Sequence, residues 1–140
     1  MANTKEFPPL KMMVPTAGLI PAKERATYIL KLAKRMKAEI YAIHIIEDRH
    51  LAPPDAIEEA KASLLLFKAE GRRWDSKVTT FLEEGKLVPT LIKFAQKHGI
   101  DLIVMGSSKD NIVAEWIVSD IKNKTDVPVV IIPYGLENIF

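Results

Sequence analysis

The sequence predicts a single α/β domain in which five strands alternate with four helices around a mainly parallel sheet. Two observations carry that expectation. Short apolar runs rich in β-branched residues alternate along the chain with longer segments whose apolar positions recur every three or four residues. The first, fourth and fifth of those runs do not alternate with polar residues, as expected of strands covered by helices on both faces.

Residues 1–9 read as a loose lead-in ending in Pro8-Pro9, and residues 10–140 as the domain. Leu10 to Val14 is an apolar run compatible with a strand or a buried helical turn. Pro15 after it favours the strand, because proline ends a ladder. Ala26, Ile29, Leu30, Ala33 and Met36 then mark an amphipathic helix from Lys23 to Lys37, with Glu24 in its first turn and Lys34, Arg35 and Lys37 in its last. Its dense lysines and arginines read as a solvated face.

Ile40 to Ile46 reads as the second strand. After Pro53-Pro54, Asp55 is a candidate N-cap with Glu58 in the capping-box position. The helix behind it carries Ile57, Ala60, Leu64 and Phe67, and Gly71 is its expected end. Val78 to Leu82 is the third strand, and Glu83-Glu84-Gly85 reads as a solvated turn. Pro89 suits the first turn of the next helix, which carries Val88, Leu91, Ile92 and Ala95 and ends at Gly99. Leu102 to Met105, stopping at Gly106, is the fourth strand. A polar loop from Ser107 to Asn111, a helix from Ile112 to about Lys122 and an apolar run from Val127 to Ile132 complete the pattern.

Composition narrows the function. The chain has 140 residues, 48% hydrophobic and 27% charged, with 20 basic against 18 acidic side chains and a net charge of +2. That balance gives no footprint for nucleic acid, and no apolar run approaches the ~20 residues that cross a bilayer. The opening stretch MANTKEFPPLKMMV lacks the apolar centre of a signal peptide. Cysteine is absent, which excludes thiol chemistry and fits a cytoplasmic location. His44, His50 and His98 have no ligand spacing, so no metal site is expected. His44 reads as a packed strand residue and His98 as a complement to a helix dipole. Ser107 and Ser108 lack the setting of a hydrolase nucleophile. Trp74 and Trp116 read as core or interface residues, with core the default for Trp116.

The chemistry concentrates where the fourth strand ends on glycine and feeds a helix, a common anion-binding arrangement. The alternative role for this loop is structural: Ser108, Asp110 or Asn111 can cap the helix that follows.

Taken in order, Val14-Pro15-Thr16, Ile43-His44-Ile45-Ile46, Asp101-Leu102-Ile103-Val104-Met105-Gly106-Ser107 and Val127-Pro128-Val129-Val130-Ile131-Ile132 resemble the universal stress protein family from about Leu10 to Ile132. The resemblance implies a parallel sheet in the order 3-2-1-4-5, of the HUP (adenine-nucleotide α-hydrolase-like) class. It also implies a ligand cleft formed by Pro15, Thr16, Ala17, Gly18, Ile45, Met105, Gly106, Ser107, Ser108, Lys109, Ser119 and Asp120. The family's ATP-binding members share a motif of glycine, two residues, glycine, nine residues, glycine and a hydroxyl residue. Here those positions hold Gly106, Lys109, Ser119 and Asp120, and Ala17 stands where an aspartate usually contacts adenine. An ionised Asp120 beside phosphate would repel it by about 4 kcal/mol at ~4 Å, roughly three decades of affinity.

The resemblance therefore implies a non-enzymatic, dimeric regulatory or binding module with a degenerate nucleotide site and no expected cofactor. The alternative is a nucleotide-driven switch or weak ATPase that uses ATP with magnesium, Lys109 replacing lost backbone contacts. The implied partners are a second copy paired through Val129, Val130, Ile131 and Ile132, and an unidentified protein.

Overall fold

A computed structural model of the protein describes residues 8–16, 19–48, 50–106 and 112–132, with the side chains of 19–25, 106 and 112–116 outside that description. The elements run β1 (Leu10–Pro15), α1 (Leu19–Met36), β2 (Ala38–Ile46), α2 (Ala56–Arg73), β3 (Val78–Glu84), α3 (Leu87–His98), β4 (Leu102–Gly106), α4 (Ile112–Lys124) and β5 (Val129–Ile132). Among the described residues all pairings are parallel, and the sheet order is β3-β2-β1-β4-β5. The expected nine elements and their order are present.

Alternation along the strands sends side chains to two cores. On one face, Met12, Val14, Ile40 and Ala42 pack with Ile29, Leu30 and Ala33 of α1 and with Leu64 and Phe67 of α2. On the other, Met13, Ile43, Ile103 and Met105 pack with Leu91, Phe94 and Ala95 of α3 and with Ile117 and Ile121 of α4. The sheet is therefore covered on both sides, as its continuous apolar strands required. β5 is the exception. It lies at the edge of the sheet, and its Val130 is 40% exposed.

Several boundaries differ from the sequence expectation. α1 begins at Leu19 and includes Pro21, so Glu24 lies beyond a first turn that holds no acidic residue. Proline is compatible with a first turn because N–H groups there need no intrahelical partner. Asp55 occupies the N-cap position of α2 but makes no side-chain cap bond. Its ψ of 5° is not the extended backbone that aims a capping oxygen at the next amides, so no capping box forms with Glu58. α2 also runs past Gly71 to Arg73. Gly71 is buried, and a Cβ there would lie 2.5 Å from Val78 Cγ2, so glycine serves close helix–strand packing. Glu83 and Glu84 belong to the end of β3 rather than to a turn. α4 continues to Lys124.

α3 matches its reading closely. Pro89 lies in its first turn and Gly99 terminates it in the left-handed conformation at φ 61° and ψ 45°. No side chain of its own caps its start. Glu47, at the exit of β2, instead accepts a hydrogen bond from the Leu87 amide at 3.2 Å. A carboxylate at a helix N-terminus also complements the dipole.

Candidate functional site

In the order β3-β2-β1-β4-β5 the direction in which strands are added reverses between β1 and β4, and open α/β sheets bind ligands beyond the strand C-termini at such a switch point. The ladder between these two strands is short. At its N-terminal end the pair is clamped. The Asp101 amide donates to the Lys11 carbonyl at 2.8 Å, and the Lys11 amide donates to Asp101 Oδ2 at 2.9 Å. β1 and β4 then pair at Met12↔Leu102 and Met13↔Ile103, and no further among the described residues. Both strands continue past that point, and each stays paired with its other neighbour: Pro15↔Ile43 on one side, Gly106↔Ile132 on the other. The backbone ladder is thus split toward the end where β1 and β4 release their loops, while Val14 and Val104 stay buried in the same core.

Thr16 stands at the mouth of this split. Its amide donates to the Ile43 carbonyl at 2.8 Å, and its Oγ1 shares a 3.2 Å hydrogen bond with His44 Nδ1. His44 is half-buried, and burial holds its imidazole below the ordinary histidine pKa by penalising the charged form. A neutral ring beside Thr16 fixes the hydroxyl without adding charge. The sequence reading had treated His44 as a packed strand residue; the contact joins positions 28 residues apart, so only the adjacency of β1 and β2 could have suggested it. His44 also lines a cleft of about 360 Å³ that runs along the exit of β2 past Ile45, Glu47 and Asp48 to Leu51 and Ala56.

Of the expected cleft residues, Pro15 and Thr16 end β1 and its exit, Ile45 lies near the end of β2, and Met105 and Gly106 end β4, all on the C-terminal side of the sheet. Ala17, Gly18, Ser107, Ser108 and Lys109 lie outside the described residues, as do the capping candidates Asp110 and Asn111 and the side chain of Trp116. Ser119 and Asp120 do not join the helix start. They lie in the second half of α4, and Asp120 is about 12 Å along the axis from Ile112. Asp120 is also charge-paired, its Oδ1 lying 3.0 Å from Lys124 Nζ one turn on. The anion-binding end of a helix is its first turn. Counting along the motif therefore assigned Asp120 a phosphate position that this helix does not give it. Ser119 is exposed on the same turn.

The other singled-out residues have structural settings. The His98 ring packs against Tyr41, Phe81 and Phe94, and the backbone carbonyl of His98 accepts a hydrogen bond from Lys11 Nζ at 3.3 Å. His50 is exposed, its amide donating to Asp48 Oδ1. Trp74 packs against the core beneath Lys31, whose ammonium sits 5.2 Å from the ring centroid. Among the described residues, no three histidine or carboxylate side chains gather as a metal site would require.

A family model described as the universal stress protein family matches residues 10–133. The chain belongs to the universal stress protein family. A universal stress protein of Methanocaldococcus jannaschii is 29% identical over 109 residues, 70% of this chain and 64% of that relative, so the matched stretch spans just under two-thirds of the relative's length. Among solved structures, the universal stress protein from Archaeoglobus fulgidus in complex with dAMP superposes with a TM-score of 0.67 at 22% identity, over 87% of this chain and 96% of that one. A universal stress protein family protein from Arabidopsis thaliana with AMP bound superposes with a TM-score of 0.65 at 17% identity, over 92% and 94%. At those identities the superpositions establish the shared fold. The family's characteristic sheet order and the split between β1 and β4 coincide in this chain.

Proposed function

We propose that this universal stress protein is a non-enzymatic regulatory module that binds an adenine nucleotide of monophosphate size in the crevice between β1 and β4. The observation that carries this reading is the split at the topological switch point, with Thr16 held by neutral His44 at its mouth. Two relatives of the same fold hold AMP or dAMP. The position of Asp120 removes the strongest electrostatic objection, since its charge lies well along α4 and is shared with Lys124.

The limit to monophosphate size follows from what the chain keeps of the triphosphate motif. Gly106 remains, Lys109 supplies a cation in the loop, and Ser119 and Asp120 are too far along α4 to grip further phosphates. The site is thus degenerate toward ATP. The module acts as a homodimer through β5, whose outer edge meets no strand among the described residues and carries exposed Val130. A cytoplasmic location fits the cysteine-free composition, and no described helix is long and apolar enough to cross a membrane.

Titration calorimetry tests the reading. AMP is expected to bind with micromolar affinity, and ATP with magnesium no more tightly. Lys109→Ala is expected to weaken AMP by about tenfold, the worth of one charge-assisted phosphate contact. The lysine in the loop also motivates a second reading, an ATP-driven switch or weak ATPase. ATP–magnesium binding at least about tenfold tighter than AMP and lost in Lys109→Ala favours that one. Absence of heat with either nucleotide at millimolar concentration overturns both.

A further inference from the structure

A second cleft, of about 560 Å³, runs between β3 and α3, on the opposite face of the sheet from α1 and α2. That volume is within the range of small-molecule sites. It extends along α3 from Pro89 to His98, about 13 Å of helix. Its floor is aromatic. Phe81 and Phe94 meet edge to face at 4.8 Å, and the His98 ring lies 4.2 Å from Phe94 and 5.1 Å from Phe81. Phe94 is buried, whereas Phe81 and His98 remain half-exposed to the cleft.

The walls carry charges of both signs. Lys93 and Lys97 stand one turn apart on α3, and Glu83 and Glu84 line the cleft from the end of β3. Lys93, Lys97 and Glu83 are exposed, and among the described residues none of these three makes an ion pair. A simple anion on the aromatic floor would leave Glu83 facing it, and a simple cation would face two ammonium groups. A ligand with a planar ring and both charges satisfies Glu83, the lysines and the aromatic floor together. The ring covers Phe81 and His98, its carboxylate meets Lys93 or Lys97, and its ammonium meets Glu83.

We infer that the β3–α3 cleft is a binding site for a free aromatic amino acid, distinct from the crevice between β1 and β4. Amide-shift mapping on the full-length, ¹⁵N-labelled protein titrated with L-tryptophan tests it. The expected result is saturable shifts confined to Phe81–Gly85 and Thr90–His98. N-acetyl-L-tryptophan, which lacks the ammonium, and tryptamine, which lacks the carboxylate, are each expected to bind about tenfold more weakly. Glu83→Gln and the double variant Lys93→Met with Lys97→Met change exposed side chains and leave the fold intact; each is expected to weaken L-tryptophan by a similar factor. Shifts that grow linearly to tens of millimolar overturn the assignment. So do equal binding of all three compounds, unaltered binding by both variants, or shifts that fall at Thr16 and Gly106 instead. AMP binding is measured separately, so either site can fail without the other.

Discussion

His44 is a half-buried imidazole whose Nδ1 shares a hydrogen bond with Thr16 Oγ1. Its pH behaviour follows from that setting. The folded state holds its pKa below the ordinary histidine value of 6.5, so the unfolded chain binds the proton more readily. The contribution of neutral His44 is fully present above the unfolded pKa and is lost as the pH falls through 6.5 toward the depressed folded value. Urea midpoints measured between about pH 7.5 and 5 are expected to fall more for the wild type than for His44→Gln, which can still bond to Thr16 but does not titrate. Parallel pH profiles would contradict the assignment. Gly71 sets a second residue-level test. Alanine there gains up to ~1 kcal/mol of helix propensity but overpacks Val78 and the Ser76 carbonyl, a cost of about 1–3 kcal/mol. The clash involves a short branched side chain and backbone, so it wins. Gly71→Ala is expected to lose about 1 kcal/mol in denaturant unfolding, and a stabilised variant would show that α2 can move off β3.

At the scale of elements, most of the fold was legible because apolar spacing reports directly on which face an element buries. α3 was readable at both ends, since Pro89 and Gly99 act through their own backbone conformations. α1 and α2 were less so. Pro21 precedes the expected helix start at Lys23 yet is admitted by the first turn, and Gly71 looks like a terminus but is a packing gap against Val78. Those distinctions depend on what lies opposite the residue. The cap of α3 by Glu47 is of the same kind, joining groups 40 residues apart. β5 carries the prediction proper to this scale. Its uniformly apolar sequence suggested burial on both faces, yet the edge position leaves Val130 40% exposed. If that edge pairs with its copy across a two-fold axis, a lysine there blocks it. Sedimentation at micromolar concentration is expected to give a dimer for the wild type and a monomer for Val130→Lys. A wild-type monomer, or an unchanged dimer in the variant, would remove β5 from the interface.

For the whole molecule, chain topology does what no single motif does. The order 3-2-1-4-5 was implied by resemblance rather than by periodicity, because alternation of strands and helices fixes parallel pairing without fixing which strands are neighbours. Once the order is known, the location of the crevice follows. The chemistry of the crevice was only partly legible. Gly106, Pro15 and Thr16 lie at its end of the sheet, whereas Asp120, which counting along the motif sets beside phosphate, lies more than two turns into α4. In this chain α4 begins at Ile112 and draws that carboxylate into an ion pair with Lys124. The central claim is that the split between β1 and β4 receives a nucleoside monophosphate. Amide-shift mapping with AMP tests it most directly: saturable shifts are expected at Thr16, Ile43 to Ile45 and Met105 to Gly106, and no shift there at millimolar AMP would contradict it.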